Sequence, residues 1–420
     1  MKYKLNTDTY QYKKMILGLT HATNITISTS NLLALPKIKT QLWTHQESTI
    51  QFIMDGMLIG KRGFGDASHV GSGKTLTAIS IIVKLMKLNG GGNSLVLLPT
   101  KNLINTWTTE IISHTENVNY TIQKENGTLT DDINNSIVIT TVGRNRDHPL
   151  KYKWLIVIID ECLTVKNKEA QQTYAAWNQV VVSTYGVHML SATFFRARFD
   201  KLLFMLKMLN TELPEKKEYL DTILSESIQV HLLKNTRTWS TTITKFELNE
   251  NERQNYNDIL GNGMCNELKY SLLEKLINKV NYIDFFKKKI KDVSHRNILI
   301  YTKNHSEAKL ISELDDVGLY PDISKKHVAI SYNNGTYGLN DLVKYNCILT
   351  RPPLPDKLPQ MKGRLDRFGQ TAEVLYIEYI LIENTIEEAT LMRLELCNNF
   401  YNSHIMPLAD FYDIALNIKK

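Results

Sequence analysis

The residues best suited to chemistry begin with Gly71-Ser72-Gly73-Lys74-Thr75, which run straight into the apolar stretch Leu76 to Ile82. Glycines let backbone N–H groups close on a phosphate, and a helix starting here adds the positive end of its dipole. Lys74 would then reach the β- and γ-phosphates and Thr75 would hold a magnesium ion. Ser68 stands where the full GxxxxGK[ST] pattern has its first glycine, and read alone the segment also suits a loop that holds no ligand. Asp160-Glu161 directly follow the apolar run Leu155 to Ile159. That order puts them at the C-terminal end of a strand, where ligands of α/β sheets bind. There Asp160 joins Thr75 as a magnesium ligand, and Glu161 orients and polarises an attacking water. A third segment, Gln360 to Gln370, places Arg364 and Arg367 three residues apart. At the start of a helix two guanidinium groups so spaced share a face and can stabilise charge on a γ-phosphate, as an arginine finger does. A solvated basic face is the plain alternative.

The elements that must position these residues are legible as short apolar runs. Leu95 to Leu98, Ile137 to Ile139, Leu155 to Ile159 and Val187 to Leu190 lack the polar alternation of half-exposed strands, as parallel strands covered on both faces do. A second set comprises Asn297 to Tyr301, His327 to Ile330, Cys347 to Leu349 and Val374 to Ile377. The pattern predicts an α/β chain of two lobes, each a mostly parallel sheet with helices on both faces. Residues 1–40 carry no readable motif, 41–238 form the first lobe and 239–420 the second. The polar stretch Asn235 to Lys291 is expected to be mostly helical, with the boundary near Thr236 to Thr244.

A chain of 420 residues is long for one core, which agrees with two lobes. Lys and Arg number 50 against 43 Asp and Glu, a net charge of +7 that favours a polyanionic partner. Cys162, Cys265, Cys347 and Cys397 are too scattered for a zinc site or a disulfide framework, so a reducing compartment is expected. No apolar segment has the length of a secretory signal or a membrane span. The expectation is a soluble protein retained inside a cell, cytoplasm and nucleus not being distinguished.

With these motifs in hand, the chain resembles the superfamily 2 helicases, and within them the Swi/Snf branch of DNA translocases. Leu42-Trp43-Thr44-His45-Gln46 resembles the adenine-side glutamine motif, with Gln46 the adenine reader; Ser68 to Thr75 resembles motif I. Leu97 to Trp107 and Ile139-Thr140-Thr141 look like motifs Ia and Ib, which the family associates with the nucleic-acid backbone. Asp160 to Asn167 is similar to the DEAH box, although Leu163 stands at the usual histidine. That histidine links the nucleotide site to motif III, so here the coupling to Ser191-Ala192-Thr193 is expected to be made differently. Ile298 to Lys303 resembles motif IV and Ser331 to Asn340 motif V. Gln360 to Gln370 matches QxxGRxxRxGQ, motif VI, at every fixed position. Asn384 to Glu388 is similar to the start of the helix that braces the lobes.

The resemblance implies two tandem RecA-like lobes with ATP in the cleft, a nucleic-acid-stimulated ATPase, and ATP with Mg2+ as the bound species. It adds Gln46, Gly338, Asn340 and Gln360 to the nucleotide-binding set of Gly71, Ser72, Gly73, Lys74 and Thr75. It implies a compact build, without chromodomains or bromodomains, of the size seen in phage and viral members, and a monomer by default.

A translocase must be sequence-tolerant, so its track is the phosphate backbone. Thr100, Lys101, Thr141, Arg144 and Lys303 are the candidate contacts, with DNA, duplex, forked or branched, favoured over RNA. The run Lys287 to Lys291 reads as a solvated face before it reads as a basic groove. Phe194, Phe195 and Trp239 could stack bases but read as core residues first. Two rival functions stand beside the motor: an ATP-switched nucleic-acid clamp with little hydrolysis, and an RNA helicase of the same superfamily.

Overall fold

The short apolar runs become the strands of two sheets in a computed structural model of the protein. The structure describes residues 35–167, 169–192, 207–209, 226–231, 237–332, 341–354, 357–367, 369–398 and 415–416. Two units divide the chain, Met1–Leu233 and Lys234–Lys420.

In the first unit the described strands are β1 (Lys37–Ile38), β2 (Gly63–Asp66), β3 (Ser94–Leu98), β4 (Thr115–Glu116), β5 (Asn119–Ile122), β6 (Ser136–Thr141), β7 (Val157–Asp160), β8 (Val187–Leu190) and β9 (Ile228–Gln229). β1 and β4 pair with each other, and the rest form a seven-stranded sheet in the order β5-β6-β3-β7-β8-β2-β9. Every pairing in that sheet is parallel. The described helices are α1 (Thr44–Leu58), α2 (Lys74–Leu88), α3 (Asn102–His114), α4 (Val142–Asp147) and α5 (Gln171–Val181). Leu95 to Leu98 and Ile156 to Ile159 are wholly buried, which is why they read as continuous apolar runs. β2 escaped that pattern because it begins with Gly63, where a Cβ would lie 2.1 Å from the backbone oxygen of Leu209. Close approach of another backbone, not hydrophobicity, selects the residue there.

The second unit carries β10 (Thr238–Phe246), β11 (Ile298–Thr302), β12 (Val317–Leu319), β13 (His327–Ser331), β14 (Cys347–Thr350) and β15 (Val374–Ile382). They form a six-stranded parallel sheet in the order β10-β15-β14-β11-β13-β12. Its described helices are α6 (Glu250–Gly261), α7 (Asn266–Ile277), α8 (Ile283–Asp292), α9 (His305–Ile311), α10 (Leu358–Leu365) and α11 (Ile386–Asn398). Alternate residues of one strand enter two different cores: Ile298 and Ile300 pack with Tyr256, Leu273 and Phe286, while Leu299 and Tyr301 pack with Leu358, Met361 and Leu365. The sheet is therefore covered on both faces, and each unit is a RecA-like lobe. The expected helical stretch after Asn235 instead opens with the nine-residue strand β10, and only then turns helical. β10 is a polar, threonine-rich edge strand bonded to β15 alone, so it lacks the apolar run that marks its neighbours. No described helix is long and apolar enough to cross a membrane.

His188 lies within β8, fully buried, with neither ring nitrogen hydrogen-bonded among the described residues. Burial lowers its pKa from 6.5 to about 4, against the pull of the Asp66 charge. Because the folded value lies below the unfolded one, the unfolded chain binds the extra proton between them. Stability is full above pH 6.5 and is lost as the pH falls towards 4, by up to about 3 kcal/mol. Urea unfolding of the first unit should therefore show a midpoint that drops from pH 6.5 to 4.5, with a shallower drop in His188→Leu; an equal slope in both proteins would exclude His188 as the source.

Candidate active site

The Gly71 to Thr75 segment forms the turn between β2 and α2. Gly71 and Gly73 have φ of 82° and 77°, left-handed values that a side chain resists. Gly73 caps the helix, and Lys74 and Thr75 make its first turn. A Cβ on Gly73 would sit 2.4 Å from Gln46 Nε2, because the Gln46 amide donates to the Gly73 carbonyl at 3.1 Å. The Gln46 Oε1 accepts from the Trp43 backbone N–H at 2.9 Å. Gln46 is thus a strut between the start of α1 and the phosphate loop. A ring nitrogen of His45 lies 2.7 Å from the Ser72 carbonyl, and the His45 ring stacks on His231 with centroids 4.1 Å apart. Lys74 Nζ donates to the carbonyls of Ser68 and His69, both at 2.9 Å. The Ser72 hydroxyl, in contrast, is buried without a hydrogen-bond partner among the described residues, as a loop shaped for an oxyanion would leave it.

Asp160 ends β7 and Glu161 follows it, as expected. Glu161 adopts φ of 47°, an uncommon backbone conformation for a non-glycine residue. The Glu161 backbone N–H donates to Asp160 Oδ1 at 2.9 Å, and the Trp107 indole N–H donates to Oδ2 at 2.8 Å. Protein atoms packed around the Asp160 carboxyl push its pKa up, while the Trp107 hydrogen bond, the Lys74 charge and the Glu161 amide pull it down. Ser191 Oγ donates to Glu161 Oε2 at 3.1 Å. This serine, with Leu163 at the usual histidine, gives motif III a direct hold on the glutamate. Sequence reading grouped Trp107 with the nucleic-acid contacts of motif Ia; it is instead fully buried and bonded to the strand-end aspartate. The signal that could have found it is its place on the buried stripe of α3, with Leu103, Ile104 and Ile111.

Thr100, Lys101, Thr141 and Arg144 line one groove of the first unit, together with Glu125, Asp147 and His148. Thr141 caps α4 by accepting from the Arg144 backbone N–H at 3.1 Å. The Arg144 guanidinium donates to the Gln123 carbonyl at 2.8 Å and lies 3.5 Å from Glu125.

In the second unit Lys303 lies 3.1 Å from Glu274 and 2.6 Å from Asn278. The lysine run on α8 is not uniformly solvated: Lys289 is buried and pairs with Glu378 at 3.0 Å. Motif VI lies at the end of a helix, not the start. α10 stops at Leu365, so Arg364 occupies its last turn and Arg367 the turn beyond. The two arginines do not share one helical face. Gln360 and Arg364 are both buried within the unit. Asp366, between the arginines, accepts from Arg237 at 3.1 Å and from the Trp239 indole at 3.3 Å. Trp239 thus braces motif VI, with Lys362 4.9 Å above its ring. Thr193, Phe194, Phe195, Gly338 and Asn340 lie outside the described residues.

Residues 43–201 match the DEAD/DEAH box helicase family, a span that holds the phosphate loop, the Asp160-Glu161 pair and Ser191. Residues 43–201 therefore carry a DEAD/DEAH box helicase domain. The motif VI residues of the second unit resemble those of the Swi/Snf branch. The chain is 44% identical, over 429 aligned residues, to "Putative helicase L115" of Acanthamoeba polyphaga mimivirus, an alignment covering 100% of this chain and 34% of that protein. It is 27% identical over 167 residues to the human "DNA excision repair protein ERCC-6-like", covering 36% of this chain and 13% of that one. The chain therefore spans about a third of the first relative's length. Among solved structures it is similar to the Sulfolobus solfataricus SWI2/SNF2 ATPase core in complex with dsDNA, with 16% identity, a TM-score of 0.46, and coverage of 92% of this chain and 95% of that chain.

Gly73→Ala should strain the loop before α2 twice, through its φ of 77° and through the Gln46 amide 2.4 Å away. The expected cost is about 1–3 kcal/mol. Thermal unfolding checks this, and Gln46→Ala in the same chain should recover only part of the loss, because the backbone strain persists.

Proposed function

We propose that this helicase is an ATP-hydrolysing motor that moves on DNA, as a helicase or a duplex translocase. The observation that carries the reading is the topology: Lys74 opens the helix that follows β2, Asp160 ends β7, and both strands run parallel in one sheet on either side of β8. It brings a phosphate-binding ammonium and a cation-binding carboxylate to the same end of one parallel sheet. In this reading the loop's N–H groups and Lys74 hold the ATP phosphates. Glu161, held by Ser191 at 3.1 Å, orients the attacking water and receives its proton. The hard oxygens of Thr75 and Asp160 suit a magnesium ion, which when bound would neutralise phosphate charge. Arg364 and Arg367 supply the remaining positive charge of motif VI.

The track is the groove of the first unit. Lys101 and Arg144 line it and would meet backbone phosphates without reading bases. The GQ ending of motif VI favours DNA over RNA, as does the name of the human relative, a DNA excision repair protein.

Steady-state ATP hydrolysis without nucleic acid, then with single-stranded, duplex and forked DNA and with RNA, tests the motor directly. DNA should stimulate the rate, and Glu161→Gln should lower it about 100-fold or more, the scale of general-base catalysis. Stimulation by RNA alone would reassign the track, and ATP binding without hydrolysis on any substrate would make the protein a switched clamp.

A further inference from the structure

The geometry points to Trp107 as a positioning residue that ties nucleic-acid contact to the hydrolytic centre through Asp160. This inference rests on the motor reading above.

A fully buried indole N–H needs an acceptor. Trp107 meets that need with Asp160 Oδ2 at 2.8 Å, while Oδ1 takes the Glu161 N–H at 2.9 Å. The two donors reach the carboxylate from separate parts of the fold, one from α3 and one from the chain leaving β7. Together they fix the rotation of the carboxylate. They also couple it to Glu161, whose unusual φ of 47° follows that same bond. A shift of α3 would turn the Asp160 carboxylate and disturb the peptide carrying Glu161.

The other end of α3 lies at the groove. Lys101 precedes the helix, and Lys101, Asn102 and Asn105 line a groove wall together with Arg144. The Thr100 hydroxyl beside them is buried with no partner among the described residues. Lys101 and Trp107 are separated by roughly 9 Å of helix, at 1.5 Å per residue, too short to bend. A phosphate drawn to Lys101, across the groove from Arg144, therefore pulls on the rod whose buried face holds the aspartate. The acceleration of hydrolysis by DNA would then pass through one indole hydrogen bond.

The test keeps the full-length chain and removes only that bond. Trp107 is replaced site-specifically by β-(3-benzothienyl)alanine, which has the same size but no N–H, with Trp107→Phe as a second variant. Each is assayed for kcat and KM for ATP, with and without duplex DNA, for its magnesium dependence, for affinity for a fluorescent ATP analogue, and for melting temperature. The DNA-stimulated kcat should fall about 10–100-fold, the scale of losing one hydrogen bond to a charged group. KM, analogue affinity and the isostere's melting temperature should be preserved, and more magnesium should be needed for half-maximal rate. An isostere that keeps both kcat and its DNA stimulation would overturn the inference, leaving Trp107 a packing residue. So would losses of kcat, affinity and melting temperature in step. A wild-type protein that hydrolyses no ATP on any nucleic acid would instead bring down the motor reading, and this inference with it.

Discussion

A carboxylate at the tip of a parallel strand, packed among protein atoms, is the constraint around which the first unit is organised. Desolvation disfavours its charge, and the fold answers with two hydrogen-bond donors and the field of Lys74. Those partners come from α3, from the turn after β7 and from the helix after the phosphate loop. The positions of these elements follow from it. β7 lies in the middle of the sheet, between β3 and β8, which sets Asp160 between the strand leading to α3 and the strand leading to Ser191. The segments around Trp107, Asp160-Glu161 and Ser191 are thereby held by hydrogen bonds as well as by topology.

The second unit meets a similar problem with ion pairs. Glu378, buried on β15, is held by Lys289 at 3.0 Å and Arg296 at 2.5 Å, and Arg296 also lies 3.6 Å from the Tyr376 ring centre. Glu387, in the first turn of α11, accepts from Arg351 at 2.8 Å, from the Tyr282 hydroxyl at 2.8 Å and from the Ile382 amide at 2.9 Å. Such pairs add little net stability, since desolvation offsets attraction, but they are costly to break singly. They fix how α8 and α11 seat on the sheet. Motif VI is braced separately, by Arg237 and Trp239 on Asp366, between the buried Arg364 and its neighbour Arg367.

Most strands were legible because burial on both faces makes a run of apolar residues. β1, β2, β4, β5, β9, β10 and β12 were not, and for two of them the cause is physical. β2 is short and glycine-bearing because the backbone at Leu209 crowds it, and β10 is polar because it is an edge. The helical end of motif VI was misread as a start: Gln360 to Gln370 contains two glycines, and glycine marks the end of a helix as readily as a turn before one.

By itself the sequence determined the lobe type and the candidates for chemistry. Lys74, Asp160, Glu161, Arg364 and Arg367 belong to motifs whose spacing is local, and local spacing is carried by the chain. Only the tertiary structure decided which of these residues are braced and by what. Trp107 meets Asp160 across 53 positions, Gln46 meets Gly73 across 27, and Ser191 meets Glu161 across 30. Hydrogen bonds of that kind depend on which strands lie side by side and on how each helix turns its buried face. No local periodicity encodes them, so candidate residues could be named from the sequence but their supports could not.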